Sequence, residues 1–107
     1  MAGDGIEVTN DEAAQRYEAR IDGQLSLIQY ERRGDRLVFL HTEVPEALEG
    51  RGIAGTLART ALEDVRARKL TVVPLCPFIS GYIRRHPEYL PLVDPPYRAR
   101  LRSAGTP

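Results

Sequence analysis

Apolar and polar positions alternate with a period of two along the first 44 residues, and after Pro45 the period lengthens to that of a helix. Tyr17, Ala19 and Ile21 alternate with Glu18 and Arg20; Leu25, Leu27 and Gln29 alternate less cleanly with Ser26, Ile28 and Tyr30. Residues 6–9, 16–21, 24–32 and 36–44 therefore read as four successive strands, separated by turn signals at Asn10-Asp11, Asp22-Gly23 and Gly34-Asp35. Such short connections predict an antiparallel meander.

Beyond Pro45, Leu57, Ala58, Ala61, Leu62 and Val65 recur at helical spacing, with Arg59, Thr60, Glu63, Asp64 and Arg66 toward the other face. The spacing predicts an amphipathic helix over 53–68. Arg66, Arg68 and Lys69 fall in its last turn, where positive charge complements the negative end of the helix dipole. Residues 70–75 form a short apolar run suited to a buried parallel strand, and Pro74, which lacks an N–H, is expected to open or bend the sheet near its end. The strand over 36–44, the helix and this strand make a crossover expected to be right-handed, with its ligand at the strands' carboxyl ends. Residues 77–85 suit a second helix with Phe78, Ile79, Tyr82 and Ile83 on one side, stopped before His86-Pro87 because proline restricts the residue preceding it.

The expected fold is thus α+β, or α/β by some conventions: a mostly antiparallel sheet with one parallel crossover and flanking helices. At 107 residues, one domain is expected, with a core over 6–93 and a tail over 94–107 ordered only in part. Arg98, Arg100 and Arg102 in that tail are expected to stay solvated.

Composition narrows the function classes. Fifteen basic and fifteen acidic residues cancel, which removes the broad positive field of a non-specific nucleic-acid binder. No apolar run is long enough for a membrane helix, and the N-terminal residues do not suit a secretory signal, so a cytoplasmic location and no membrane partner are expected. One cysteine, Cys76, and two histidines, His41 and His86, fall short of a closed zinc site. No structural metal is expected.

Gly50, Gly52 and Gly55 cluster at the entrance to the amphipathic helix, where bare backbone N–H groups and the helix dipole can receive a phosphate; glycines in a plain turn would look the same. Cys76 ends the buried strand and starts the next helix, a place suited either to a small buried hydrophobe or to a thiolate that accepts an acyl group. His41 and Glu43, two apart on one strand, share a face; either can deprotonate an ammonium, with Glu43 the preferred base, or the two can simply pair and fix the strand end. No serine sits in a recognisable nucleophile elbow.

Glu49-Gly50-Arg51-Gly52-Ile53-Ala54 resembles the coenzyme A loop of the GNAT acetyltransferase superfamily, Gln/Arg-x-x-Gly-x-Gly/Ala, with Gly52 and Ala54 matching and Glu49 departing at the first position. His41-Thr42-Glu43-Val44-Pro45, Val73-Pro74-Leu75-Cys76-Pro77-Phe78 and Tyr82-Ile83-Arg84-Arg85-His86-Pro87-Glu88-Tyr89 extend the resemblance to the small YjdJ-type GNAT proteins, over about 17–93. The resemblance implies acetyl-CoA bound between two splayed strands, its pyrophosphate on the amides of Arg51, Gly52, Ile53, Ala54, Gly55 and Thr56, with Val44, Cys76 and His86 also toward the cofactor. It further implies Tyr82 as the group that protonates the departing CoA thiolate, the alternative being an ordinary core aromatic. His86 alternatively caps its helix.

Since a carboxylate beside a diphosphate is unfavourable, affinity is expected to rest on the amides, the dipole and Arg51. The expected activity is transfer of an acetyl group from acetyl-CoA to an amine, by direct attack or through acyl-Cys76; the alternatives are a non-catalytic CoA or acyl-CoA-binding module that controls a protein partner, and a plain interaction domain. Larger GNAT enzymes place acceptor-binding helices between the first two strands, where this chain has only about six residues. An open acceptor side follows, suited to a protein or peptide amine. The expected state is a monomer or weak homodimer.

Overall fold

The computed structural model describes residues 6–104, with side chains through Leu101. Strands β1 (Thr9–Asp11), β2 (Arg16–Ile21), β3 (Gln24–Arg33) and β4 (Arg36–Glu43) form an antiparallel meander, and β5 (Thr71–Pro74) joins β4 in parallel, giving the order β1-β2-β3-β4-β5. Helix α1 (Ile53–Ala67) makes the crossover; α2 (Pro77–Arg85), a 3-10 segment (Pro87–Leu92) and α3 (Pro95–Ala104) follow β5.

Turn chemistry sets the meander's register. Asp22 and Gly23 both take left-handed φ (53° and 75°), as a two-residue hairpin turn of matching twist requires, and the next hairpin turns at Gly34 (φ 63°) and Asp35. The first strand departs from expectation: it runs over Thr9–Asp11 rather than 6–9. Asn10 and Asp11 suggest a turn by composition, but Asn10 pairs with Tyr17 and its Oδ1 accepts a 2.6 Å hydrogen bond from the Tyr30 hydroxyl. The reversal lies just beyond, where Asp11 Oδ1 accepts from the Ala14 amide and Gln15 takes φ 56°.

One core lies between the sheet and the helices. Leu57, Ala58, Ala61, Leu62 and Val65 of α1 are fully buried and join Tyr17, Ile28, Tyr30, Leu37 and Phe39 from the sheet and Ile79 and Ile83 from α2. The core face of β3 is therefore Ser26, Ile28 and Tyr30, not the one led by Leu25. Polar ties at its edge fix α1 on the sheet. Tyr17 donates to Asp64 Oδ2 at 2.6 Å, and Arg68 binds the same oxygen at 3.0 Å. Burial first, and then this bond to a carboxylate, push the Tyr17 phenol well above its ordinary pKa.

Two features part β4 from β5. Gln29 pairs with His41 and Tyr30 with Phe39, so Leu40 is an extra, bulged residue on β4. The β4–β5 ladder ends at Phe39 and Pro74, beyond which the Cys76 amide reaches back, donating to Phe39 O at 2.9 Å. The residues from Leu40 to Glu43 are thereby left without a β5 partner, the opening expected at Pro74. On its outer side β5 is covered by Val93 and Asp94, whose amide donates to Val72 O at 2.9 Å. The segment after Asp94 forms α3 and buries Leu101, and Arg98, expected to stay solvated, instead donates to Val93 O at 3.0 Å. The side chain of Arg102 lies outside the described residues. No helix of the described residues is long and apolar enough to cross a membrane.

Candidate functional site

The entrance to α1 is shaped by its glycines. Gly50 and Gly52 take φ 84° and 76°, the left-handed region that side chains disfavour, and Gly52 caps the helix. No side chain bonds to the first-turn amides, and no acidic residue stands in that turn. The Thr56 amide and hydroxyl both reach Gly52 O at 3.1 Å, leaving the three amides before it aimed out of the helix.

These amides border a cleft of ≈ 340 Å³ between the α1 entrance and α2. Val44, Leu48 and Ile53 supply apolar wall, Gly52, Ala54 and Gly55 the backbone, and Phe78, Tyr82 and Arg85 the α2 side. A Cβ added at Gly55 would meet no atom within 4 Å beyond its chain neighbours and its own helix backbone, so no packing against the rest of the protein demands glycine there. What it leaves free is cleft volume beside unpaired N–H groups. Uncapped amides at the positive end of a 15-residue helix dipole are able to receive an anion such as a phosphate.

Of the site residues expected from sequence, Val44, Gly52, Ile53, Ala54, Gly55 and Tyr82 meet in this cleft. Tyr82 is anchored by packing: its ring stacks on His86 with centroids 4.1 Å apart and lies 6.3 Å from Phe78. His86 reaches the site only through this stack. Burial raises the Tyr82 phenol above its ordinary pKa, so it carries its proton at neutral pH. Thr56 is buried and turned to Gly52, and Arg51 points away, its guanidinium 3.0 Å from Asp22 Oδ2.

Cys76 precedes α2 and is 1% exposed; its Sγ shares a 3.2 Å hydrogen bond with Thr42 Oγ1 across the strand opening. His41 Nε2 and Glu43 Oε2 lie 2.9 Å apart, exposed, and neither lines the cleft. Arg85 and Phe78 were missed as cleft residues, although positions 78, 82 and 85 follow the spacing of one helix face and so could have been grouped with Tyr82. Arg85 puts a positive charge opposite Glu49, whose exposed chain lines the other rim.

The family model for the GCN5-related N-acetyl-transferase matches residues 16–92. Protein NATD1 of Mus musculus is 37% identical over 98 residues, covering 87% of this chain and 89% of its own length. Protein NATD1 of Homo sapiens is 37% identical over 95 residues, with 84% of each chain covered. In three dimensions the chain is similar to the solution structure of a GCN5-like protein from Staphylococcus aureus, with a TM-score of 0.66 at 20% identity, covering 85% of this chain and 90% of that one. At that identity the likeness speaks for the fold.

Proposed function

Because the chain belongs to the GCN5-related N-acetyltransferase family, we propose that it binds acetyl-CoA in the cleft at the start of α1 and transfers the acetyl group to an amine of a protein or peptide. The observation that carries this reading is the row of uncapped α1 amides beside Gly55, a position whose missing side chain serves no packing within the protein. Acetyl-CoA supplies an acyl group already activated as a thioester. The amides of Ile53, Ala54 and Gly55 and the Arg85 guanidinium hold its diphosphate, while Val44 and Phe78 give apolar wall to the rest.

Tyr82 serves as proton donor to the leaving sulfur, because its raised pKa keeps the phenol protonated. The exposed Glu43–His41 pair takes the proton from the incoming ammonium, directly or through water. Cys76 is buried and already bonded to Thr42, which favours direct attack by the amine over an acyl-Cys76 intermediate. The second reading, a non-catalytic CoA-binding module, draws support from the same pair: His41 and Glu43 bond to each other outside the cleft.

The test combines thermal shift and intact mass for the wild type and Cys76→Ala, each with acetyl-CoA and with CoA, followed by transfer to a panel of peptide amines. Ligand binding to the folded state raises the melting temperature. A shift with turnover supports direct transfer, and a shift without turnover supports the binding module. A Cys76-dependent acetyl adduct would restore the covalent route, and no shift at millimolar ligand would remove the cofactor reading altogether.

A further inference from the structure

The sheet has a second recess, on the face turned away from Leu37, Phe39 and Val72. Val38, Leu40, Val73 and Leu75 floor a depression of ≈ 260 Å³, and Tyr97 of α3 walls it. It adjoins another of ≈ 280 Å³ bordered by Pro74, Ser80 and Leu101; the two share Leu75 and Tyr97 and so make one groove. Leu40 and Leu75 are its exposed apolar residues, at 38% and 52% exposure, and they follow directly on the last β4–β5 rung. The groove therefore starts where the two strands part.

Four arginines edge it. Two are neutralised, Arg33 by Glu31 at 3.0 Å and Arg36 by Asp94 at 3.6 Å. Arg84 and Arg100 line the other half, and among the described residues neither has a carboxylate within ion-pair distance. An apolar floor beside two uncompensated guanidiniums calls for a partner with aliphatic side chains and carboxylates. A second copy of this chain meets the demand less well, because a two-fold contact would bring in a second arginine-edged patch whose carboxylates, Glu31 and Asp94, are already paired. Nucleic acid fits less well: the groove has one aromatic ring, Tyr97, and one face of it is already taken by the Arg100 guanidinium at 5.0 Å, which is a poor platform for stacked bases.

We propose that this groove docks an acidic peptide segment bearing leucine-type side chains. Resting on the acetyl-transfer reading, that segment belongs to the acceptor, held where its amine can approach the strand opening. The docking itself is independent of the cofactor and is tested without it.

A fluorescein-labelled nonapeptide with two glutamates and two leucines is titrated with the full chain and followed by anisotropy. Its Glu→Gln analogue, a single-stranded oligonucleotide and anionic phosphatidylserine vesicles are titrated alongside. The acidic peptide binds at least about tenfold more tightly than the glutamine analogue, and added salt narrows the gap. Arg84→Gln/Arg100→Gln lowers its affinity by about fivefold or more, and Leu75→Ser lowers affinity for both peptides. All variants keep a cooperative thermal unfolding transition, which shows that they fold. Equal binding of the two peptides, binding indifferent to the arginine pair, or tighter binding of the oligonucleotide or vesicles overturns the proposal. A CoA shift without peptide binding refutes the groove alone; peptide binding without a CoA shift refutes the acetyl-transfer reading alone.

Discussion

Replacing Gly55 by alanine should move stability and cofactor affinity in opposite directions. Gly55 is the third residue of α1, its φ lies outside the left-handed region, and a Cβ there meets no atom within 4 Å beyond its chain neighbours and its own helix backbone. The free protein therefore gains helix propensity and loses unfolded-state entropy at no steric cost, a stabilisation of about 0.5–1 kcal/mol. For a chain of this size that is a rise in melting temperature of roughly 2–4 °C. The same methyl group occupies the cleft beside the unpaired amides, so coenzyme A should bind about tenfold more weakly, a loss of about 1.4 kcal/mol. Calorimetric unfolding of both proteins gives the first quantity, and isothermal titration with coenzyme A the second. A more stable Gly55→Ala that binds coenzyme A as well as the wild type would refute the cradle, while a destabilised one would refute the claim that the chain makes no internal use of glycine there.

Tyr82→Phe keeps the stack on His86 and removes only the hydroxyl, so acetyl transfer should slow on the order of 10²-fold while the CoA-induced thermal shift persists; loss of the shift instead would make Tyr82 a binding residue. Asp22→Ala releases Arg51 from its exposed ion pair, which should tighten coenzyme A binding by no more than about threefold, read by titration at low salt; weaker binding would contradict a role for Arg51 near the phosphates. Tyr89 is pushed up to about 12 by burial and then by its 2.7 Å bond to Glu63, against 10.0 when unperturbed. Because its folded pKa is the higher one, its contribution is fully present below pH 10 and is lost as pH rises toward 12. Urea unfolding at pH 9 and pH 11.5 should show a smaller alkaline loss in Tyr89→Phe than in the wild type, and equal losses would contradict the assignment.

The regular elements were legible because each carried a local signal that agreed with its packing. The 3.6-residue stripe from Leu57 to Val65 is the buried face of α1, and the residues before Gly23 and Gly34 form strands because those turns force an immediate return. Where a long-range contact outvoted the local signal, the reading slipped. Asn10 looks like a turn residue and is a strand residue because Tyr30, twenty positions away, needs its carbonyl oxygen. Leu25 and Leu27 gave no clean alternation because β3 meets the core on one face and the Leu40 side on the other, and Arg98 reads as one of a solvated arginine series because nothing local announces the Val93 carbonyl to which it donates. In the site, the glycine loop announced itself by composition. Arg85 did not, since a basic residue near a helix C-terminus has a sufficient local explanation in the dipole.

The candidate cleft and the arginine-edged groove depend on one interruption of the sheet. Pro74 is the last β5 residue paired with β4, and the bulge at Leu40 turns the rest of β4 out of register. Either feature in a continuous sheet would cost hydrogen bonds, but here the cost is limited because the Cys76 amide resumes bonding at Phe39 O and Thr42 takes up the Cys76 thiol. The opening is thus held at a fixed width by two cross-links and is not a frayed end. With α1 amides toward one face and Leu40 and Leu75 toward the other, the opening would let cofactor and acceptor approach from opposite sides, the arrangement on which the proposed transfer rests.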